Sequence, residues 1–335
     1  MSSLRPLLER NRAFGATGAH AGLAIGASTE TVIGVSALRM RYGSVEAVRG
    51  IDLHVRRGEV FAFLGSNGAG KTTTVEILEG YRRRTGGEVT VLGQDPQHAG
   101  PAWRARIGVV LQESEPERDL TAAECLQLYA GYYPAPRDVG ETLALVGLSD
   151  RADAMASRLS GGQRRRLDVA LALIGDPELL FLDEPTTGFD PSARRAAWDM
   201  ISGLRELGVT VFLTTHYMDE AEHLADRVAV IAQGQIVAEG TPATLGGREH
   251  AAAEIRFSLP PGTTFDELPE PVRSACADKD GNRMLVRAAS PVSVLGPLIR
   301  WAEAKGSDLA DLDVRRPSLE DIYLSLTETK TGGRR

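Results

Sequence analysis

A glycine-rich segment lies between the apolar run Val60–Leu64 and a predicted helix over 72–78. It matches the pattern G-x-x-x-x-G-K-[ST], in the strand–loop–helix context that this pattern requires. The glycines let backbone N–H groups wrap around phosphate oxygens, and the following helix N-terminus adds partial positive charge. The segment therefore predicts a nucleotide phosphate site on an α/β P-loop NTPase fold. Its candidate binding residues are Gly65, Ser66, Asn67, Gly68, Ala69, Gly70, Lys71, Thr72 and Thr73.

A second motif supplies the carboxylates that a P-loop needs for hydrolysis. The apolar strand 179–182 ends in Asp183 and Glu184. Asp183 is expected to hold Mg²⁺ together with Thr72, while Lys71 neutralises the β- and γ-phosphates. Glu184 is then placed to polarise the attacking water as general base. The two motifs together predict hydrolysis of a nucleoside triphosphate with Mg²⁺.

Strands and helices alternate along the rest of the first 246 residues. Predicted strands over 209–214 and 228–231 follow helices over 192–207 and 217–225, which favours an α/β domain with a largely parallel sheet. The intervening stretch from 120 to 158 is mostly helical in pattern, and it opens with the capping box formed by Thr121 and Glu124.

Composition changes near the start and near Gly246 and Gly247 divide the chain. The first thirty residues are predicted to be a disordered extension, with a short basic arm touching anionic lipid as the alternative. After the glycine pair, Ile255 and Phe257 alternate with polar residues, which predicts a strand. The predicted parts are 1–30, a nucleotide-binding domain over 31–246 with a helical subdomain at about 115–160, a small C-terminal α+β accessory domain over 250–327, and a tail over 328–335.

A final helix is predicted to begin after Ser318, which is a good N-cap. An apolar stripe follows at helical spacing, and we expect it to pack within the accessory domain or against a partner domain rather than against lipid. The stripe consists of Leu319, Ile322, Tyr323 and Leu326.

Composition excludes several classes of function. A formal net charge of −7 argues against nucleic acid as the main partner. No apolar run approaches the ~18–20 residues that a membrane span requires. Cys125 and Cys276 stand alone, which fits a reducing compartment and predicts a cytoplasmic protein without a disulfide framework.

The segment from Leu159 to Gln163, read as Leu-Ser-Gly-Gly-Gln, resembles the signature of ABC ATPases. Ser160 and the N–H groups of Gly161 and Gly162 would form a second anion site at a helix start. In the family this loop, with Gln163, closes over ATP held by the P-loop of another subunit. The resemblance therefore implies an ABC cassette over 31–246 that works as a homodimer, or with a homologous cassette.

Four further positions match ABC motifs one by one. Tyr42 is similar to the aromatic residue that stacks on adenine, although a half-buried strand aromatic is the alternative. Gln112 is similar to the glutamine that reaches Mg²⁺ or the lytic water and senses the membrane partner. Asp190 matches the loop that contacts the other subunit, and could also cap the next helix. His216 resembles the histidine that contacts the γ-phosphate.

The C-terminal stretch 316–326 resembles the ending of cassettes in ABC-2-type exporters, which include daunorubicin-resistance-like subunits. That likeness implies a separate multi-span membrane permease, efflux of a drug-like or amphiphilic compound, and a place on the cytoplasmic face of the plasma membrane. An importer ATPase subunit is one alternative, and a non-transport ABC ATPase is another.

Overall fold

The computed structural model describes residues 30–111, 116–309 and 311–328. Gln112 lies outside the described residues, as do nearly all of the predicted extension 1–30 and most of the predicted tail 328–335. The chain divides into two compact units, the first ending at Pro242 and the second beginning at Ala243. Among the residues described, no helix has the length and apolar character needed to span a bilayer.

The first unit is built on two sheets. Its described strands are β1 (Thr31–Tyr42), β2 (Val45–Arg56), β3 (Val60–Leu64), β4 (Gly86–Val91), β5 (Ile107–Val110), β6 (Leu179–Asp183), β7 (Thr210–Thr215), β8 (Arg227–Ala232) and β9 (Gln235–Gly240). A six-stranded sheet has the order β5-β6-β7-β3-β8-β9, with β9 antiparallel to β8 and the other pairs parallel. An antiparallel sheet of order β2-β1-β4 forms the second layer.

The helices of the first unit connect these strands. They are α1 (Lys71–Leu78), α2 (Pro101–Arg104), α3 (Ala122–Ala130), α4 (Val139–Leu145), α5 (Gly161–Leu173), α6 (Pro191–Glu206) and α7 (Met218–Leu224). Both partners of the predicted capping box at the start of α3, Thr121 and Glu124, make their reciprocal bonds. Helices α3 and α4 and two short 3₁₀ turns lie within the predicted helical subdomain.

The central strands are apolar on both faces because helices or the second sheet cover them. Phe212 of β7 lies at the middle of an aromatic cluster. Its ring centroid is 5.6 Å from that of Phe61, 5.8 Å from that of Phe63 and 5.7 Å from that of Phe181. All four rings are fully buried. This core holds β3, β6 and β7 in register, so that Leu64 pairs with Thr215 and Asp183 pairs with Thr214 at one edge of the sheet.

The second unit contains a four-stranded antiparallel sheet. Its elements are β10 (Ala253–Ser258), α8 (Glu270–Ser274), β11 (Cys276–Asp280), β12 (Arg283–Ala288), α9 (Pro291–Ala304), β13 (Asp313–Arg315) and α10 (Leu319–Glu328). The strand order is β11-β12-β10-β13. Alternate residues of β10, including Ile255 and Phe257, are buried in a core shared with Val294 and Leu298 of α9. Helix α9 runs through Pro297 without ending.

Helix α10 packs against residues of the second unit that precede β10. Its N-cap Ser318 accepts from the backbone N–H of Asp321 at 3.1 Å, and its own N–H donates to the Asp321 carboxylate at 2.8 Å. A Cβ placed on Gly246 would lie 2.6 Å from Ile322 Cγ2 and 3.5 Å from Leu326 Cδ1. Ile322 and Leu326 of the apolar stripe therefore lie against Gly246, which the sequence placed at the end of the first domain.

Candidate nucleotide-binding and hydrolysis site

The P-loop turns sharply from β3 into α1. Gly70 has a φ of +109°, and a Cβ there would lie 2.7 Å from the carbonyl oxygen of Ala47. The loop is held from the other side as well, because Gly234 N–H donates to Ala69 O at 2.9 Å. Gly70 offers no side chain to cap α1. The first N–H groups of the helix are therefore left for an anion.

Lys71 is the first residue of α1 and is almost fully buried. Its ammonium group donates to the carbonyl oxygen of Gly65 at 2.7 Å and lies 3.6 Å from Glu184 Oε1. The side chains of Lys71 and Glu184 are 6% and 11% exposed, respectively. The ammonium group of Lys71 therefore lies inside the curve of the P-loop and faces the carboxylate of Glu184.

Asp183 and Glu184 are fixed by the strand next to theirs. The Thr214 hydroxyl, on β7, donates to Asp183 Oδ1. The same hydroxyl accepts from Glu184 N–H at 3.1 Å, and Thr214 O accepts from that N–H at 3.1 Å. Glu184 has a φ of +45°, a left-handed conformation that is costly for a residue with a side chain. The two hydrogen bonds from the Glu184 N–H to Thr214 hold this conformation in place.

His216 and Thr187 contact the Glu184 carboxylate from two sides. His216 Nδ1 lies 3.2 Å from Oε1, and the Thr187 hydroxyl donates to Oε2 at 3.2 Å. The His216 ring packs on Tyr217 with centroids 4.1 Å apart, and the Arg194 guanidinium lies 4.3 Å from the centroid of the Tyr217 ring. These contacts bring three sequence-predicted residues, Lys71, Glu184 and His216, to one place.

Tyr42 lies at the end of β1, beside the P-loop helix. Its hydroxyl is 3.5 Å from the Thr73 hydroxyl, and the Arg82 guanidinium lies 5.2 Å from its ring centroid. Its side chain is 40% exposed, which leaves ring surface available to a flat ligand.

The signature residues form the N-terminus of α5. Ser160 accepts from Gln163 N–H at 3.3 Å, while Gln163 Oε1 accepts from Ser160 N–H at 3.0 Å. This capping box does not use the N–H groups of Gly161 and Gly162, and no side chain among the described residues accepts from them. A cavity of about 930 Å³ opens here, and its lining includes Ser160, Gly162, Glu184 and Asp190 but no residue of the P-loop.

Asp190 caps α6, as the sequence allowed. Its carboxylate accepts from Ser192 N–H at 2.8 Å and from Ala193 N–H at 2.9 Å. These bonds, that of Ala193 first, lower the pKa of Asp190 below its usual value. The side chain is exposed at the rim of the cavity and stays an anion there.

Sequence reasoning missed residues that support the site. Thr214 and Thr187 hold the two carboxylates, and the buried Glu220 of α7 accepts from the Thr186 hydroxyl at 2.8 Å. Thr214 ends the strand predicted over 209–214, but its place beside Asp183 depends on strand order and register, which no local pattern in the sequence sets. For Glu220 the signal is weak: it is an acid on the buried side of a helix.

Comparison with known families gives two matches along the chain. A family model described as ABC transporter matches residues 48–187. A second, described as the C-terminal domain of ABC transporter domain-containing protein-like chains, matches residues 253–318. The first match spans the P-loop, the signature and the Asp183–Glu184 pair, and the second lies within the second unit.

Known proteins match this chain over most of its length. The daunorubicin resistance ATP-binding protein DrrA3 of Streptomyces coeruleorubidus is 36% identical over 306 residues, covering 89% of this chain and 96% of that protein. The Nod factor export ATP-binding protein I of Cupriavidus pinatubonensis is 42% identical over 297 residues, covering 87% and 89%. The solved structure of cbiO1 from Clostridium perfringens, part of the ABC transporter complex cbiONQ, aligns with a TM-score of 0.60 and 27% identity, covering 64% of this chain and 90% of that one.

Proposed function

Because this chain belongs to the ATP-binding subunits of ABC transporters, we propose that it drives efflux of a drug-like or amphiphilic compound through a separate membrane subunit. It is an ATPase of the ABC type. Two features support the export direction. The relatives named above are a resistance protein and an export protein, and their likeness extends over nearly their whole length, including the second unit.

The P-loop binds the phosphates of ATP, and Tyr42 stacks on its adenine. Lys71 turns from Gly65 O and Glu184 toward the β- and γ-phosphates, which are stronger partners for an ammonium than a backbone carbonyl. The N–H groups around Ser66, Asn67 and Gly68 supply the remaining donors. We assign Asp190 and the signature residues to the surface of this chain that faces the partner subunit and its bound nucleotide.

The residues near Lys71 fit a magnesium ion. Mg²⁺ prefers hard oxygen ligands, and the Thr72 hydroxyl and Asp183 carboxylate supply this donor type. The Thr214 bond to Asp183 Oδ1 fixes the orientation of that carboxylate. We assign Thr72, Asp183 and Gln112 to the ion, which when bound neutralises charge on the β- and γ-phosphate oxygens.

Placement of Glu184 between Lys71 and His216 is the observation that carries the hydrolytic assignment. Once Lys71 moves to the phosphates, Glu184 can accept a proton from water in line with the γ-phosphate. Thr187 holds one carboxylate oxygen at 3.2 Å, which orients the other toward that water. His216 then contacts the γ-phosphate from the end of β7.

ABC cassettes act as dimers, and the geometry of one chain supports two composite sites. Within the described residues, the cavity at the signature helix reaches Glu184 but includes no P-loop residue. The free N–H groups of Gly161 and Gly162 are therefore best used by a phosphate that a second cassette presents. We propose a homodimer whose closure on ATP is passed to the membrane subunit at the cytoplasmic face of the plasma membrane.

Transport by reconstituted vesicles tests this function. The chain would be co-expressed with a candidate multi-span permease, and co-purification in detergent would establish the complex. Inside-out vesicles are expected to accumulate a fluorescent amphiphile when ATP is added, and to stop when Glu184→Gln replaces the wild-type chain. ATP-driven depletion of a preloaded solute from the same vesicles would instead indicate import.

A further inference from the structure

Arg165 lies on α5, just after the signature, and its side chain is 11% exposed. Among the described residues, its guanidinium donates to three backbone carbonyls, which lie in two segments of the chain. It bonds Leu111 O at the end of β5, Asp183 O at the end of β6 at 2.9 Å, and Pro185 O at 3.3 Å. The last two carbonyls flank Glu184 in the sequence. Leu111 directly precedes Gln112.

Among the described residues, a long ion pair accompanies these bonds: Asp168, on the next turn of α5, lies 4.0 Å from the guanidinium. Burial lowers the pKa of Arg165 below its usual value, which shows that desolvation outweighs the surrounding acids. A buried arginine is costly unless its donors are used, and here they are used by the backbone of the catalytic loops.

We propose that Arg165 is a positioning residue that ties the signature helix to the backbone on both sides of Glu184. This inference rests on the proposed function, because it assigns Arg165 a part in the same hydrolytic step. The planar guanidinium has N–H groups pointing in several directions, which suits three carbonyls that do not lie in one line. In this proposal Arg165 acts through the backbone of these segments rather than on the nucleotide or the water.

The hydrogen bonds that Arg165 makes between α5 and the backbone around Glu184 have a consequence for the dimer. In the proposed arrangement Glu184 acts on ATP held by its own P-loop, whereas Ser160 at the head of α5 acts on ATP held by the partner. Arg165 links the two within one chain. Movement of the signature helix when it closes on the partner's ATP is therefore passed to the loop that carries Glu184.

The full chain tests this with Arg165→Ala, Arg165→Lys and the matched control Arg166→Ala. Arg166 is the next residue of α5 and bonds only Gly147 O, at 3.5 Å, among the described contacts. We expect Arg165→Ala to lower kcat about 10- to 100-fold, the range that small misplacement of a catalytic group produces. The Kd for a fluorescent ATP analogue is expected to stay at the wild-type value, as are both constants in Arg166→Ala.

Chemical rescue separates positioning from simple loss of packing. Guanidinium chloride at low millimolar concentration is expected to raise kcat of Arg165→Ala, whereas equal concentrations of urea and sodium chloride do not. Urea has the same planar shape without the charge or the full set of donors. Failure of guanidinium to raise kcat in a folded Arg165→Ala protein would overturn the proposal.

Arg165→Lys decides the question if the alanine variant does not fold. It keeps the charge and the aliphatic stem, but one ammonium group cannot span three carbonyls. We expect a reduced kcat with unchanged nucleotide affinity, and a wild-type kcat would overturn the proposal. Hydrolysis that depends on Glu184 but not on Arg165 refutes this inference alone, while a wild-type chain that hydrolyses no ATP refutes the proposed function.

Discussion

The ammonium group of Lys71 lies 3.6 Å from a carboxylate oxygen of Glu184, and both side chains are nearly buried. Buried opposite charges compensate each other, so removing one leaves the other without a counter-charge. ATP changes this balance, because its phosphates take over Lys71 and leave Glu184 to act on water. The resting contact and the catalytic arrangement therefore share the same two residues.

Glu184→Gln is expected to bind ATP and hydrolyse it very slowly. Glutamine keeps the size of the side chain but cannot accept a proton from water, and loss of a general base typically costs ~10²–10⁴ in rate. Phosphate release under saturating ATP measures turnover, and a fluorescent ATP analogue measures binding. Glu206→Gln, an exposed glutamate at the end of α6, is the matched control. Turnover near the wild-type rate in Glu184→Gln would remove Glu184 from its assigned role.

A mixture of two inactive variants is expected to recover activity. Lys71→Ala damages the P-loop and Ser160→Arg damages the signature, so each homodimer has two defective sites. If Ser160 serves the partner's nucleotide, a heterodimer of the two variants retains one site built from an intact P-loop and an intact signature.

Phosphate release should therefore rise above both parents and peak at equal amounts of the two chains. Subunit exchange is verified first by energy transfer between labelled wild-type chains. Activity that equals the inactive parents at every ratio, with exchange established, would contradict the composite site.

Glu220→Gln is expected to remove part of the pH dependence of stability. Burial raises the pKa of Glu220, opposed by bonds that include those from Thr186 and Trp198. The folded protein therefore keeps a proton that the unfolded chain releases near the ordinary carboxyl pKa. Stability is lost as pH rises from that ordinary value through the folded pKa, by at most about 1.4 kcal/mol per pH unit for this one proton.

Urea unfolding across this pH range measures the effect. The free energy of unfolding of Glu220→Gln should fall less steeply with pH than that of the wild type, since glutamine can still accept from Thr186. Glu222→Gln, an exposed position on the same helix, should follow the wild-type slope. Equal slopes for all three proteins would mean that Glu220 is ionised in the folded state.

Residues whose type and spacing carry the chemistry were predictable. The P-loop needs glycines and one lysine in fixed order, and the sequence therefore predicted where Gly70 and Lys71 lie. Asp183 and Glu184 were predicted to lie beside the P-loop because an apolar strand that ends in two acids follows it in the chain, and Glu184 does lie beside Lys71. The capping box at Thr121 is also a local pattern, and it is present in the structure.

Residues that act through strand order were not predictable from one chain. Thr214 meets Asp183 because β6 and β7 are neighbours in register, and nothing local in the sequence sets that register. Arg165 is one of three successive arginines, and only the packing of α5 against the ends of β5 and β6 distinguishes it. Strand β9 was missed for a different reason: it is a half-exposed edge strand without a clear alternation.

A chain cut after Pro242 is expected to fold and to bind ATP as tightly as the full chain. Every nucleotide motif lies before this point, and the first compact unit ends there. A cut after Gly247 would retain Leu245, which is fully buried, and Gly246, which contacts the last helix, while removing that helix. This longer fragment should therefore expose apolar surface and aggregate more readily.

Equilibrium nucleotide binding and light scattering on the two fragments check both statements. Sedimentation with ATP, in chains that carry the hydrolysis-deficient Glu184→Gln substitution, measures whether the second unit supports dimer closure. We expect the fragment ending at Pro242 to dimerise more weakly than the full chain. Loss of ATP affinity in a folded fragment would show that the second unit contributes directly to the nucleotide site. Unchanged dimerisation and transport would show that this unit is dispensable for both.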